Sequence, residues 1–231
     1  VEKTTFAVIG KSDDAHLLAQ MLGCQMNRDA DVLIRYGNRD PFKGEIEINT
    51  IPALENARHK YKSLEIFTKK KLPVPKFALK RYDLRSPMLG RRFHHQCGTD
   101  IIFIKTKKEP IRDRDYFIEF LPVQTEYRAH IVCGQVISLA EKVGGRVEGV
   151  YCRNLRTGWT FEERRPEDLC HPDIVKMSKK AVKVLGLHFG AVDILISKGK
   201  PFLLEVNTAP GIIERRAKLY ATSIKGYVGR L

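Results

Sequence analysis

Cysteine is sparse in this chain, and acids are outnumbered by bases. The five cysteines, Cys24, Cys97, Cys133, Cys152 and Cys170, are scattered, odd in number and free of CxxC spacing. That argues against a disulfide framework or a cysteine zinc site and fits a reducing cytosol, so the expected location is cytoplasmic. No apolar run approaches the roughly 18–20 residues of a membrane span, and no membrane role is expected. No signal-peptide pattern opens the printed residues, which start at Val1. After the first apolar strand stands one glycine, Gly10, where a dinucleotide fingerprint needs several. Internal repeats and low-complexity linkers are lacking. So are RNP, KH and zinc-finger patterns, and any Ser, Cys or His triad that would supply a nucleophile.

What is present is basic. Lys and Arg number 41 against 27 Asp and Glu, a formal net charge of +14. Such an excess favours anionic partners: nucleotide phosphates, nucleic acid or acidic peptides. At 231 residues the chain can bury one large core or two small ones.

Periodicity gives the organisation. Thr5 to Gly10 reads as a strand, Asp14 to Leu22 as a helix and Asp31 to Tyr36 as a strand, a small βαβ-like unit. Glu45 to Asn49 fits a further short strand. NRDPFKG (38–44) is a turn-rich boundary. Pro52 to Lys70 reads as one helix, ended by Leu72-Pro73-Val74-Pro75. Ser86 to Lys105 reads as strand, loop, strand, and Asp115 to Pro122 as a strand carrying Glu119. Glu126 to Leu139 fits a hairpin around Cys133-Gly134 that puts Glu126, Arg128 and His130 on one face. Asp168 to Leu187 has the apolar stripe of a core helix, with Asp168 a candidate N-cap and Gly186 its stop.

The most informative stretch is Gly190 to Gly211, GAVDILISKGKPFLLEVNTAPG, two apolar strands around a turn at Ser197–Lys200. Each strand holds one acid, Asp193 and Glu205, and Asn207 follows two residues on, where it projects with Glu205. Carboxylates in an apolar sheet are costly unless paired or metal-bound. Two readings fit: three hard oxygen ligands for Mg²⁺, or a half-buried hairpin whose acids pair with the many Lys and Arg.

These residues resemble the ATP-grasp superfamily of carboxylate–amine ligases. The order Asp193, Glu205, Asn207, then Thr208-Ala209-Pro210-Gly211, is similar to the family's metal-binding end. The resemblance extends through EYRAHIVCGQVI (126–137) and RNLRTGWTF (153–161), and covers about Ala57 to Gly211. It implies an α+β ATP-grasp fold: a short pre-grasp unit over 1–50, an N-terminal lobe over 51–122 and a C-terminal lobe with the metal site over 123–231, the lobes clamping ATP. It implies Mg²⁺, with Mn²⁺ as a substitute, on Asp193, Glu205 and Asn207. Lys60, in the helix before LPVPKF, matches a phosphate-binding lysine. Glu119, Phe120 and Leu121 match the adenine hinge, and Glu126 the ribose-binding acid. Arg128 and Arg153 match catalytic arginines, with Asn154 beside them. The chain departs from the family at the phosphate loop: Arg91 or Arg92 stands where a lysine is expected, and His94, His95 and a single Gly98 replace a Gly- and Ser-rich run. This loop is expected to grip phosphate through side chains.

The implied activity is ATP-dependent amide or peptide bond formation. The substrates would be a carboxylate and an amine acceptor, an amino acid or a peptide, joined through an acylphosphate that the loop at 92–98 shields from water. The alternatives are a small-molecule kinase using the same site and, from net charge alone, a nucleic-acid-binding module.

Overall fold

In the computed structural model, residues 4–93, 101–111, 113–145, 153 and 157–231 are described. His94, His95, Gly98 and Asn154 lie outside them.

The N-terminal unit runs β1 (Phe6–Ile9), α1 (Asp13–Leu22), β2 (Gln25–Met26), β3 (Val32–Arg35) and β4 (Ile46–Ile48). Its sheet is parallel, in the order β2-β1-β3-β4. Ser12 caps α1 by accepting the Ala15 amide at 3.2 Å, and Gly23 ends it at φ 68°. β2 extends the expected βαβ unit and is too short to carry a period.

The expected single helix over 52–70 is two helices, α2 (Ile51–Arg58) and α3 (Lys60–Lys69). His59 breaks them: its backbone is extended, at φ −79° and ψ 95°, and its Nδ1 accepts the Lys62 amide at 3.2 Å. A residue that bonds local backbone through its side chain offers an alternative to helix, and here it restarts one. Lys60 therefore opens a helix instead of sitting inside one.

The central sheet is antiparallel: β5 (Phe77–Ala78), β6 (Met88–Arg91), β7 (Ile102–Ile104) and β8 (Tyr116–Glu119), in the order β5-β8-β6-β7.

The C-terminal part comprises β9 (Thr125–Val132), β10 (Gln135–Gly144), β11 (Trp159–Glu163), α4 (Asp173–Val184), β12 (Phe189–Ser197), β13 (Lys200–Asn207) and α5 (Glu214–Val228). Its sheet has the order β11-β10-β9-β12-β13. α4 starts five residues later than the expected Asp168, because Pro172 disfavours helix at the residue before it. Asp168 closes a short 3₁₀ turn, where its carboxylate accepts the Arg165 amide.

One face of this sheet is apolar. Ala129, Ile131, Val192, Ile194 and Leu203 share a core with Ile174, Met177 and Ala181 of α4 and with Ala53, Leu54 and Ala57 of α2. α5 joins the N-terminal unit to the same sheet: Tyr220 and Ile224 pack with Leu18 and Leu22 of α1 and with Val132 and Phe189. Asn49 rivets the junction. Fully buried at φ 64°, it accepts the His188 and Phe189 amides at 2.8 and 3.1 Å through Oδ1 and donates to the Phe189 carbonyl at 3.1 Å.

Candidate active site

The other face of the C-terminal sheet carries a charged patch, and a β-bulge brings Glu205 and Asn207 onto it. Lys198 and Gly199 turn the β12–β13 hairpin at φ 49° and 70°, a conformation suited to a tight two-residue loop. Pairing runs Ser197↔Lys200, Leu195↔Phe202 and Ile194↔Leu203, then shifts to Asp193↔Glu205 and Ala191↔Asn207. Leu204 is the extra residue. Were the register unbroken, Asp193 would face Leu204 and Glu205 would point to the opposite side, since a one-residue slip flips every side chain. The bulge sets Asp193, Glu205 and Asn207 on one face.

The register extends that face across the sheet. Glu163, Ala140, Arg128, Asp193 and Glu205 form one transverse row. Arg128 grips Asp193 bidentately, Nε to Oδ1 at 2.7 Å and Nη2 to Oδ2 at 2.8 Å. Lys142 is buried one row away. It donates to Asp193 at 3.0 Å and also pairs with Glu126. Lys60 reaches Glu205 at 2.9 Å from the start of α3. The Arg153 guanidinium lies 4.4 Å over the Trp159 ring, with Nε 4.0 Å from Glu126. Arg128 lies 4.9 Å over Phe161.

These contacts set the charge states. Lys60 outweighs burial and lowers the Glu205 carboxyl to about 2. Burial alone would raise Asp193, but the Arg128 and Lys142 charges override it and hold this carboxyl well below the usual range. At Glu126 burial wins and the carboxyl is raised against the pull of Lys142. Lys142 stays charged, because Asp193 and Glu126 more than offset the cost of its burial.

Of the two readings of the hairpin, the pairing of its acids with bases is what the contacts show. Among the described residues no three His, Cys, Asp or Glu side chains cluster as they would around a metal. The donors are two ionised carboxylates and the Asn207 amide, whose Oδ1 now accepts the Ala209 amide at 3.0 Å. Mg²⁺ takes one or two carboxylates and completes its octahedron with water and phosphate, so the set fits that ion. Glu126, Asp193 and Glu205 stand against Lys60, Arg128, Lys142 and Arg153. The excess positive charge suits a polyphosphate.

The structure separates the two loop arginines. Arg92 pairs outward with Asp115 at 3.4 Å and Asp113 at 3.7 Å. Arg91 ends β6 opposite Tyr116, and its charge acts on Glu205. At the expected hinge, the Glu119 and Phe120 amides are already bonded to the Lys76 and Pro87 carbonyls, at 2.7 and 3.2 Å. Glu126 is buried and held by Lys142. Sequence reasoning missed Lys142 because the hairpin was expected to end at Leu139. The alternation continues to Gly144 and puts Lys142 on the face of Glu126.

Comparison with known proteins bears on this geometry. No family model matches the chain. A probable alpha-L-glutamate ligase of Marinomonas sp. (strain MWYL1) is 27% identical over 190 residues, 73% of this chain and 61% of that protein. Thus the chain spans under two thirds of that relative's length. The ATP-grasp ligase PsnB, complexed with minimal precursor, Mg and ADP, superposes with a TM-score of 0.70 at 14% identity, over 97% of each chain. D-alanine–D-alanine ligase from Bacillus anthracis, complexed with ATP, gives 0.68 at 16% identity, over 100% of this chain and 98% of that one. The chain has the ATP-grasp fold. The resemblance read from LLEVNTAPG thus holds at the level of fold and of similarity to named ligases. No helix among the described residues is long and apolar enough to cross a membrane.

Proposed function

We propose that the chain is an ATP- and Mg²⁺-dependent carboxylate–amine ligase that forms an amide or peptide bond through an acylphosphate. One observation carries the reading: the bulge-set pair Asp193–Glu205, ringed by Lys60, Arg128 and Lys142 on one face of the sheet. Its support is the ATP-grasp fold and the similarity to ligases.

The lobes over 51–122 and 123–231 would clamp ATP between them. Asp193, Glu205 and Asn207 would hold Mg²⁺, which when bound supplies charge neutralisation to the phosphates. Lys60 and Arg91 would bind phosphate; in support, Lys60 pairs with Glu205 and the Arg91 charge also lowers that carboxyl. Leu121 is the hinge residue left to meet adenine, and Glu126 the acid left for ribose. A substrate carboxylate oxygen attacks the γ-phosphorus and ADP leaves. Arg128 and Arg153, with Lys142 beside them, hold the negative charge that the transferring group carries, the dominant role in phosphoryl transfer. An amine then attacks the acyl carbon; phosphate leaves, and the nitrogen gives up a proton.

The test is ADP release screened across amino acids and peptides. The expected result is release that needs both a carboxylate and an amine for full rate. A stable phosphorylated product with no amine requirement would instead make the chain a kinase. Absence of ADP release, with salt-sensitive polyanion binding, would support the nucleic-acid module.

A further inference from the structure

Tyr116 is fully buried, yet its hydroxyl has no hydrogen-bond partner among the described residues. The buried Nε of Arg91, its register partner across β6 and β8, has none either. Cross-strand partners point to one face, so the two side chains that carry these unpartnered donors share it. Buried hydroxyls in folded proteins are nearly always paired, and an exception calls for a reason.

The surroundings supply one. The Tyr116 ring is fixed by Phe93, stacked at 5.9 Å and 7°, and by Tyr61, edge-on at 5.7 Å. Tyr61 follows Lys60, which is bonded to Glu205. The ring therefore lies where the central sheet and the start of α3 meet, one residue from the Lys60 that bonds the Glu205 strand. Arg91, Glu205 and Asp115 are the charges that act on the hydroxyl, and burial keeps it protonated. A protonated hydroxyl beside an arginine is a donor pair for an anionic oxygen.

We propose that Tyr116 is a further phosphate-binding residue of this site, donating its hydroxyl to a nucleotide phosphate oxygen beside Arg91. This rests on the ligase reading above, and the rigid ring gives the donor little freedom to lose on binding.

The experiment is Tyr116→Phe, which removes one oxygen and leaves the packed ring in place. Titration calorimetry with Mg·ATP and the melting temperature of the nucleotide-free protein are compared with wild type. The expected result is ATP affinity weaker by about tenfold or more, as for a lost hydrogen bond to a charged group, with an unchanged or higher melting temperature. Unaltered ATP affinity overturns the proposal, and so does a loss of affinity matched by a fall in melting temperature, which marks a structural role. If wild type itself fails to bind Mg·ATP, the ligase reading fails and takes this proposal with it.

Discussion

Lys142→Met removes the cation on which two buried carboxylates depend while keeping the volume of the side chain. Lys142 is 3% exposed as a side chain, and its partners Glu126 and Asp193 are 8% and 6% exposed. Asp193 keeps Arg128 at 2.7 Å. Among the described residues Glu126 keeps only the distant Arg153, 4.0 Å away, so the cost falls mainly on Glu126. Breaking a buried pair by removing one partner costs about 3–5 kcal/mol, because an uncompensated charge is left behind. For a chain of this size that is about 6–20 °C in melting temperature. Glu126 can also take up a proton, and burial already raises its pKa. The variant should then regain stability as the pH falls towards the range where Glu126 protonates. Removing the orphaned acid as well, in Lys142→Met/Glu126→Leu, should return stability to within about 1–2 kcal/mol of wild type, as for apolar replacement of buried ion pairs. Urea melts of the wild type and the variants measure each term. A single variant losing under about 1 kcal/mol, or a double variant no better than the single, would refute the reasoning.

Two further outcomes follow from the site and its surroundings. Arg91→Ala should weaken Mg·ATP binding by about one to two decades, the worth of a charge-assisted phosphate contact, whereas Arg92→Ala should change it little; equal effects in the two titrations would contradict the separation seen in the structure. His130 is buried against the Tyr220 hydroxyl at 3.0 Å, and burial, aided by the Arg216 and Arg128 charges, lowers its pKa from 6.5 to about 3. A histidine lowered on folding gives up stability as pH falls below its unfolded value of 6.5, because the unfolded chain then binds the proton first. The loss due to His130 should reach about 2 kcal/mol by pH 5, and a His130→Gln variant should lack it; denaturant melts at pH 7 and pH 5 that show the same slope in both proteins would refute the assignment.

Much of this was legible in the sequence because β alternation and turn chemistry are local signals. The β12–β13 hairpin turns at Ser197–Lys200 as expected, and the β9–β10 hairpin turns at Cys133-Gly134. Glu205 and Asn207 project together because they are two apart in a strand. The bulge at Leu204 was not legible. It has no composition signal, and it is what brings Asp193 to the same face. The helix break at His59 was hidden for a similar reason: Lys60-Tyr61-Lys62 keeps the helical period, and only the imidazole's bond to the Lys62 amide interrupts it. Which of Arg91 and Arg92 faces the site depended on the pairing of β6 with β8 and on Asp113 and Asp115, contacts between segments far apart in the chain.

The central claim is that the charged face around Asp193 and Glu205 binds Mg·ATP. Titration calorimetry of ATP into the wild type and into Glu205→Gln, with and without Mg²⁺, tests it directly. Binding to the wild type should strengthen with Mg²⁺, and in the folded Glu205→Gln protein that Mg²⁺ dependence should be lost. A wild type that binds no ATP at millimolar concentration, or a Glu205→Gln protein that keeps the full Mg²⁺ dependence, would contradict the account.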